Sequence, residues 1–100
     1  MDRGWLLRCE AVAWVELDWP GWVRVRLVDA DGRSWSLVEK VPVLGLDIGP
    51  ETPMPVPVDL LCDVVADDDD HVVVVVPRWH IAAEDGTTRF RVPRATLKPA

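Results

Sequence analysis

Residues 22–28, with the sequence WVRVRLV, alternate apolar and charged side chains over most of their length. In a β-strand this period of two turns the valines and the leucine to one face and the arginines to the other. Turn sequences flank the segment, DWPG at 18–21 and DADG at 29–32. In such turns proline fixes φ and glycine accepts positive φ. A chain built this way reverses direction at short intervals, which favours antiparallel sheet over helix.

Short apolar runs between turns recur along the whole chain and predict six strands. No window repeats apolar residues at helical spacing for more than two turns, and valine dominates the apolar set. The predicted strands are residues 6–17, 22–28, 33–41, 58–66, 71–83 and 87–92. In the first strand, the alternation predicts a buried face made of Leu7, Cys9, Ala11, Ala13, Val15 and Leu17.

Six short strands predict an all-β domain, residues 1–100, folded as a small antiparallel barrel or sandwich. The connection at 42–57 contains GPETPMPVP and is too rich in proline for a central strand, so it is predicted to be a structured loop. PRATL at 93–97 predicts one turn of 3₁₀ helix. This final strand, helical turn and short tail resemble the layout of SH3-like barrels, a likeness of architecture that implies no function.

Charge and composition narrow the class of partner. Seventeen acidic residues against 11 basic ones give a net charge of −6, which repels phosphate backbones and favours a basic protein. No segment has the pattern of a signal peptide or a membrane span, so a cytoplasmic protein is expected. Cys9 and Cys62 are then expected to be buried free thiols. Asn, Gln and Tyr are missing and Arg far outnumbers Lys, which suggests a bacterial source with a GC-rich genome.

Two aspartate-rich turns stand out, DADG and the ADDDD run at 66–70 that precedes five valines. Successive turns of an antiparallel meander alternate between the two ends of the sheet, so these two turns are predicted to share one end. This acidic end is a candidate for docking a basic protein or for weak cation binding, and consists of Asp29, Asp31, Asp67, Asp68, Asp69 and Asp70. The alternative is a pair of solvated turns whose charges protect the valine run from aggregation.

Tryptophan is the most informative surplus, because a domain of this size can hardly bury six indoles fully. Trp35 lies at an inward position and is predicted to be in the core. Tryptophan and arginine are both enriched at binding hot spots. The candidates for a protein-binding surface are therefore Trp14, Trp22, Arg78 and Trp79. The alternative is that these rings pack against the proline-rich loop.

No arrangement of residues indicates catalysis. The chain lacks a nucleophile elbow, a glycine-rich phosphate loop and a close pair of cysteines suited to zinc. We therefore expect a non-enzymatic protein-binding module or accessory protein, of adaptor or immunity type, without catalytic residues, metal or cofactor. Its partner would be another protein or a second copy of the chain.

Two alternative functions stay open. One is a divalent-cation or small-ligand binding module at the acidic end. The other is a single-stranded nucleic-acid binder, which would combine tryptophan stacking with Arg24, Arg26, Arg89, Arg91 and Arg94. Against the second, the glutamates of the first strand are expected to pair with these arginines across the sheet.

Overall fold

A computed structural model describes residues 3–100, which form one antiparallel sheet that curls into a half-barrel. The strands and the single 3₁₀ turn are β1 (Trp5–Glu16), β2 (Trp22–Val28), β3 (Ser34–Lys40), β4 (Val56–Asp67), β5 (Val72–Pro77), β6 (Phe90–Pro93), η1 (Arg94–Thr96) and β7 (Leu97–Pro99). The order across the sheet is β3-β2-β1-β4-β5-β6, and β7 pairs with β1. The all-β prediction is confirmed, as is the 3₁₀ turn near the C-terminus. No helix within the described residues has the length and hydrophobicity that crossing a bilayer requires.

β1 organises the sheet because it pairs with three other strands. Its first half lies between β4 and β7, so that Leu7 faces Leu60 on one side and Leu97 on the other. Its second half pairs with β2. The two far edges of the sheet are also linked: the Ala30 amide donates to the Arg91 carbonyl over 2.8 Å. These contacts leave one core inside the curl.

The core is almost entirely aliphatic. Its buried members are Leu7, Cys9, Ala11, Val23, Val25, Leu27, Leu37, Val41, Val58, Leu60, Cys62, Val73, Val75, Ile81, Ala83, Phe90 and Val92. Both cysteines are free, as predicted, and burial is the main cause that raises the pKa of each thiol to about 12. Trp35 is half-buried and packs its ring edge-to-face on Phe90, with 5.3 Å between the ring centroids.

A β-bulge in β1 overturns part of the predicted inward face. Ala11 pairs with Val25 but Ala13 pairs with Arg24, so β1 has one extra residue at this point. An extra residue reverses which side chains face the core. Trp14 consequently turns towards the core, whereas Val15, predicted to be buried, is 48% exposed. A second register shift lies between Trp14 and Glu16, and Leu17, also predicted to be buried, follows the end of β1 and is 56% exposed.

The chain leaves β5 earlier than the sequence predicts. The strand ends at Pro77, and Trp79 and His80 follow with φ values of +66° and +58°. Two successive positive φ values are typical of a type I′ turn, and the Ile81 amide bonds to the Arg78 carbonyl over 3.4 Å. The predicted continuation of this strand to residue 83 is therefore wrong, because the backbone reverses after Pro77. β6 is likewise shorter than predicted and begins only at Phe90.

The proline-rich connection, here the 42–55 loop, lies at one end of the barrel. It begins beside the β1–β2 turn, where the Val41 amide donates to the Gly21 carbonyl over 2.9 Å, and it ends where Val56 pairs with Ala11. Its apolar side chains pack against the core, namely Leu44, Leu46, Ile48 and Met54. The prediction of a structured loop is confirmed. We call this end of the barrel the tip end.

Adjacent positions on β2 provide a test of the packing. Leu27 is 1% exposed, whereas Val28 is 48% exposed. Leu27→Ala should lower the free energy of unfolding by about 2–5 kcal/mol, because it leaves a cavity in a core with few large side chains. Val28→Ala should change it by about 0.5 kcal/mol or less. Urea unfolding followed by tryptophan fluorescence measures both, and equal losses would contradict the assigned inner face.

Candidate protein-binding surface

The two aspartate-rich turns meet at the acidic end, as the meander predicts. The guanidinium of Arg91 joins them, with Nη1 at 2.8 Å from Asp31 Oδ2 and Nε at 2.6 Å from Asp68 Oδ2. Arg94 reaches Asp67 from η1 over 2.8 Å. Half of the predicted acidic group is therefore neutralised by arginines from the C-terminal part of the chain.

Asp29 and Asp69 hold their own turns together. Asp29 accepts hydrogen bonds from the amides of Asp31 and Arg33 and from the Trp35 indole. Desolvation acts to raise the pKa of Asp29, but these hydrogen bonds outweigh it and hold the pKa below its ordinary value of 3.8. Asp69 accepts hydrogen bonds from two amides that lead into β5.

These contacts leave little of the acidic end for a cation. Within residues 3–100, Asp70 is the one member of the group that neither joins an ion pair nor accepts a hydrogen bond. The described residues also contain no cluster of three or more His, Cys, Asp or Glu side chains placed to hold a metal ion. The geometry therefore favours structural roles for these carboxylates.

The arginines of the nucleic-acid alternative are mostly engaged with carboxylates. Arg26 donates to Glu10 over 2.7 Å, as predicted, but Arg24 pairs with Glu84 at 3.3 Å and not with Glu16. The expected pairing with the glutamates of the first strand requires a closed sheet in which β1 lies between β2 and β6, whereas in the structure β1 lies between β2 and β4. Arg91 and Arg94 therefore find their carboxylates in the turns of the acidic end, not on β1.

Arg78 has a structural position. Its Nη2 lies 2.6 Å from Asp63 Oδ1, and its Nε contacts both oxygens of the same carboxylate. The hydrogen bond from Arg78 lowers the pKa of Asp63. A methyl group built on Gly4 would lie 2.8 Å from Arg78 Nη2, so the guanidinium is packed against the backbone. Arg78 thus serves to fix the end of β5.

The three predicted tryptophans of the surface have different surroundings. Trp14 packs against the core and lies beneath Gly21. Trp22 is half-buried, with Lys40 Nζ 5.5 Å above its ring. Trp79 is 66% exposed in the turn after β5. The structure therefore does not bring the four predicted binding residues together as one patch.

A different apolar patch lies on the β1–β2 turn. Trp19 is 90% exposed, more than any other large apolar side chain of the described residues. Val15 near the end of β1 and Leu17 just after the strand precede it in the chain. Val43, 39% exposed, lies two residues beyond the Val41–Gly21 hydrogen bond that joins the 42–55 loop to this turn. We call these four side chains, Val15, Leu17, Trp19 and Val43, the apolar tip.

The apolar tip escapes sequence reasoning because the alternation in β1 continues without a visible break. Counting by twos from Leu7 assigns Val15 and Leu17 to the core, but the bulge near Ala13 reverses Val15. A second register shift, between Trp14 and Glu16, precedes Leu17, which lies just beyond the strand. A usable signal is the DWPG turn itself, in which Trp19 occupies a position that faces solvent. A turn position that faces solvent does not require an apolar side chain, so the structure of the turn does not explain a tryptophan there.

Comparison of the chain with protein-family models, with curated proteins and with solved structures found no match. Its function must therefore be inferred from the surface that its own residues build.

Asp29 offers a test of the structural role of the acidic end. Asp29→Ala should lower the free energy of unfolding at neutral pH by about 1 kcal/mol, an amount that allows for solvent screening of a partly exposed carboxylate. Because the folded pKa lies below 3.8, this contribution is complete above that pH and is lost as the pH falls through the folded pKa. Urea unfolding of wild type and variant, at neutral pH and at a pH below the folded pKa of Asp29, measures this contribution.

Asp70→Ala is the matched control, since this neighbouring carboxylate has no partner in the described residues. Asp70→Ala should leave the midpoint of urea unfolding unchanged at neutral and at low pH. Equal losses from the two substitutions, or a loss from Asp29→Ala that persists at low pH, would contradict the assigned role.

Proposed function

We propose that this chain is a non-enzymatic protein-binding module, of adaptor or immunity type, and that the apolar tip is its contact surface. The observation that carries the proposal is the exposure of Trp19 at 90% together with its apolar neighbours. Contiguous exposed apolar side chains are limited on monomeric proteins and mark contact sites. Tryptophan is also the residue most enriched at the energetic centres of interfaces.

The way in which the tip is held supports the proposal. Trp14 and Val41 pack below the turn and Gly21 takes a φ of +82°, so the exposed residues project from a firmly packed base. A contact surface that is ordered before binding loses less conformational entropy when the partner arrives. The exposure of Leu17 and Trp19 therefore favours binding of a partner more than it stabilises the barrel.

The proposal includes a cytoplasmic location. Cys9 and Cys62 are free and buried in the core. Unpaired thiols are typical of proteins that work in a reducing compartment, where disulfides seldom persist.

The test compares capture by three forms of the tagged protein from a lysate of the source organism. Wild type should retain a stoichiometric protein partner, and Leu17→Ser with Trp19→Ser should lose it. With the partner then purified, calorimetry should show a loss of at least about 2 kcal/mol, which is about thirtyfold in Kd and typical of a hot-spot tryptophan. Urea unfolding should show that the variant remains folded, because both side chains are exposed.

Val28→Ser with Val65→Ser is the matched control. These side chains are 48% and 44% exposed on β2 and β4, away from the β1–β2 turn, so the control also replaces two exposed apolar side chains by serine, at a different place on the surface. The control should keep the partner. Loss of the partner from the control alone, or retention by the tip variant, would overturn the assignment of the surface.

A further inference from the structure

Within the described residues, the carboxylates that have no partner are concentrated in a different part of the chain from the aspartate-rich turns. Seven carboxylates of residues 3–100 are paired with arginine or lysine, and others accept backbone hydrogen bonds. The carboxylates of the described chain with neither kind of contact are Glu16, Asp18, Asp47, Glu51 and Asp70. The DDDD run, which dominates the sequence, contributes only the last of these.

Four of these five free carboxylates belong to the tip end. Glu16 and Asp18 alternate with the exposed side chains of Leu17 and Trp19. Asp47 and Glu51 belong to the 42–55 loop, which starts beside Gly21 and returns beside Ala11. The apolar tip therefore has two free carboxylates next to it in the chain, and the loop at the same end of the barrel carries two more.

Positive charge at the tip end is scarce by comparison. Lys40, at the end of β3, is held over the Trp22 ring. Arg24 is the first cation of β2, counted from the tip end, and its guanidinium is paired with Glu84. Neither residue neutralises Glu16 or Asp18 in the structure.

We infer that the partner of the apolar tip is a cationic protein, with an apolar pocket that receives Trp19 and lysine or arginine side chains around that pocket. The inference rests on the proposed function and adds the chemistry of the partner. Interfaces place a hot-spot side chain at the centre and charged groups at the rim. Complementary charges at the rim steer association and reject wrong partners.

The same charges disfavour the other occupants of such a surface. Anionic lipid and nucleic acid are both repelled by a tip end whose four free carboxylates outnumber Lys40, the cation held over Trp22. A second copy bound tip to tip would bring the free carboxylates of both copies, Glu16 and Asp18 among them, into one interface, since a two-fold contact joins identical patches. A cationic protein surface meets no such repulsion.

Selection from a random peptide library displayed on phage tests the inference without knowledge of the natural partner. The library is selected on the wild-type protein and depleted on the variant with Leu17→Ser and Trp19→Ser. Tip-dependent peptides should be enriched in lysine and arginine together with apolar residues. Their affinity should fall steeply as salt is raised from about 0.01 M to about 1 M, where the Debye length shortens from about 30 Å to about 3 Å.

Two charge variants of equal net charge locate the effect. Glu16→Gln with Asp18→Asn should weaken a selected peptide by about tenfold or more, the lower end of the range for electrostatic steering. Asp70→Asn with Asp85→Asn is the control and should not, because Asp70 lies at the acidic end and Asp85 in the 84–86 turn. Equal weakening by both pairs would overturn the inference.

The remaining outcomes separate this inference from the proposed function. Tip-dependent peptides that are acidic or neutral would overturn the cationic partner and leave the binding module standing. If sedimentation shows a dimer that dissociates in the variant with Leu17→Ser and Trp19→Ser, this result would assign a second copy as the occupant. Binding of anionic vesicles through the tip would assign a lipid surface instead. If no tip-dependent peptide emerges, the cationic partner is rejected, and the lysate capture decides the function independently.

Discussion

The hydrogen bonding of β1 to β4, β2 and β7 is the constraint on which the rest of the structure depends. β1 carries the inward face of Leu7, Cys9 and Ala11, and the bulge that follows ends this face and begins the exposed one. One strand thus builds the centre of the core and presents the apolar tip. Bulges bend a strand and redirect its side chains, and they are frequent where a sheet meets a functional surface. The extra residue near Ala13 turns Val15 outward, and the end of β1 at Glu16 leaves Leu17 and Trp19 exposed in the turn that follows.

Electrostatics divides the barrel into two unlike ends. At the acidic end, arginines from β6 and η1 reach back to the earlier turns, so the charges hold chain segments together. Surface ion pairs contribute little individually, but Arg91 contacts two turns at once. At the tip end, carboxylates are left without such partners, and two of them, Glu16 and Asp18, lie close in the chain to the exposed indole of Trp19. The aspartate-rich turns are the most conspicuous charges in the sequence, but they have few carboxylates free to contact a partner.

Local pattern was sufficient for most of the fold and insufficient for the site. Alternation predicted β2 and its buried valines, the turn sequences predicted the hairpins, and proline content predicted the 42–55 loop. The errors arose where a single residue changes the geometry without changing the pattern. A bulge in β1 has no distinctive residue type, and the turn at Trp79 and His80 uses side chains that rarely adopt positive φ. Because the candidate surface lies just after the bulge, the sequence pattern assigned Val15 and Leu17 to the core, and the tryptophans chosen for binding did not include Trp19.

Synthesis from the N-terminus completes β5 before β6 and its arginines exist. In the finished barrel the valine strand is hydrogen-bonded on both sides, by β4 and by β6. While it emerges, its second edge is open, and an open strand of five valines is prone to intermolecular pairing. The aspartates at 67–70 precede it without their later arginine partners, so their mutual repulsion is then at its greatest. The run is thus placed so that its repulsion opposes pairing between nascent chains, and in the folded barrel two of its carboxylates, Asp67 and Asp68, hold arginines of the C-terminal part.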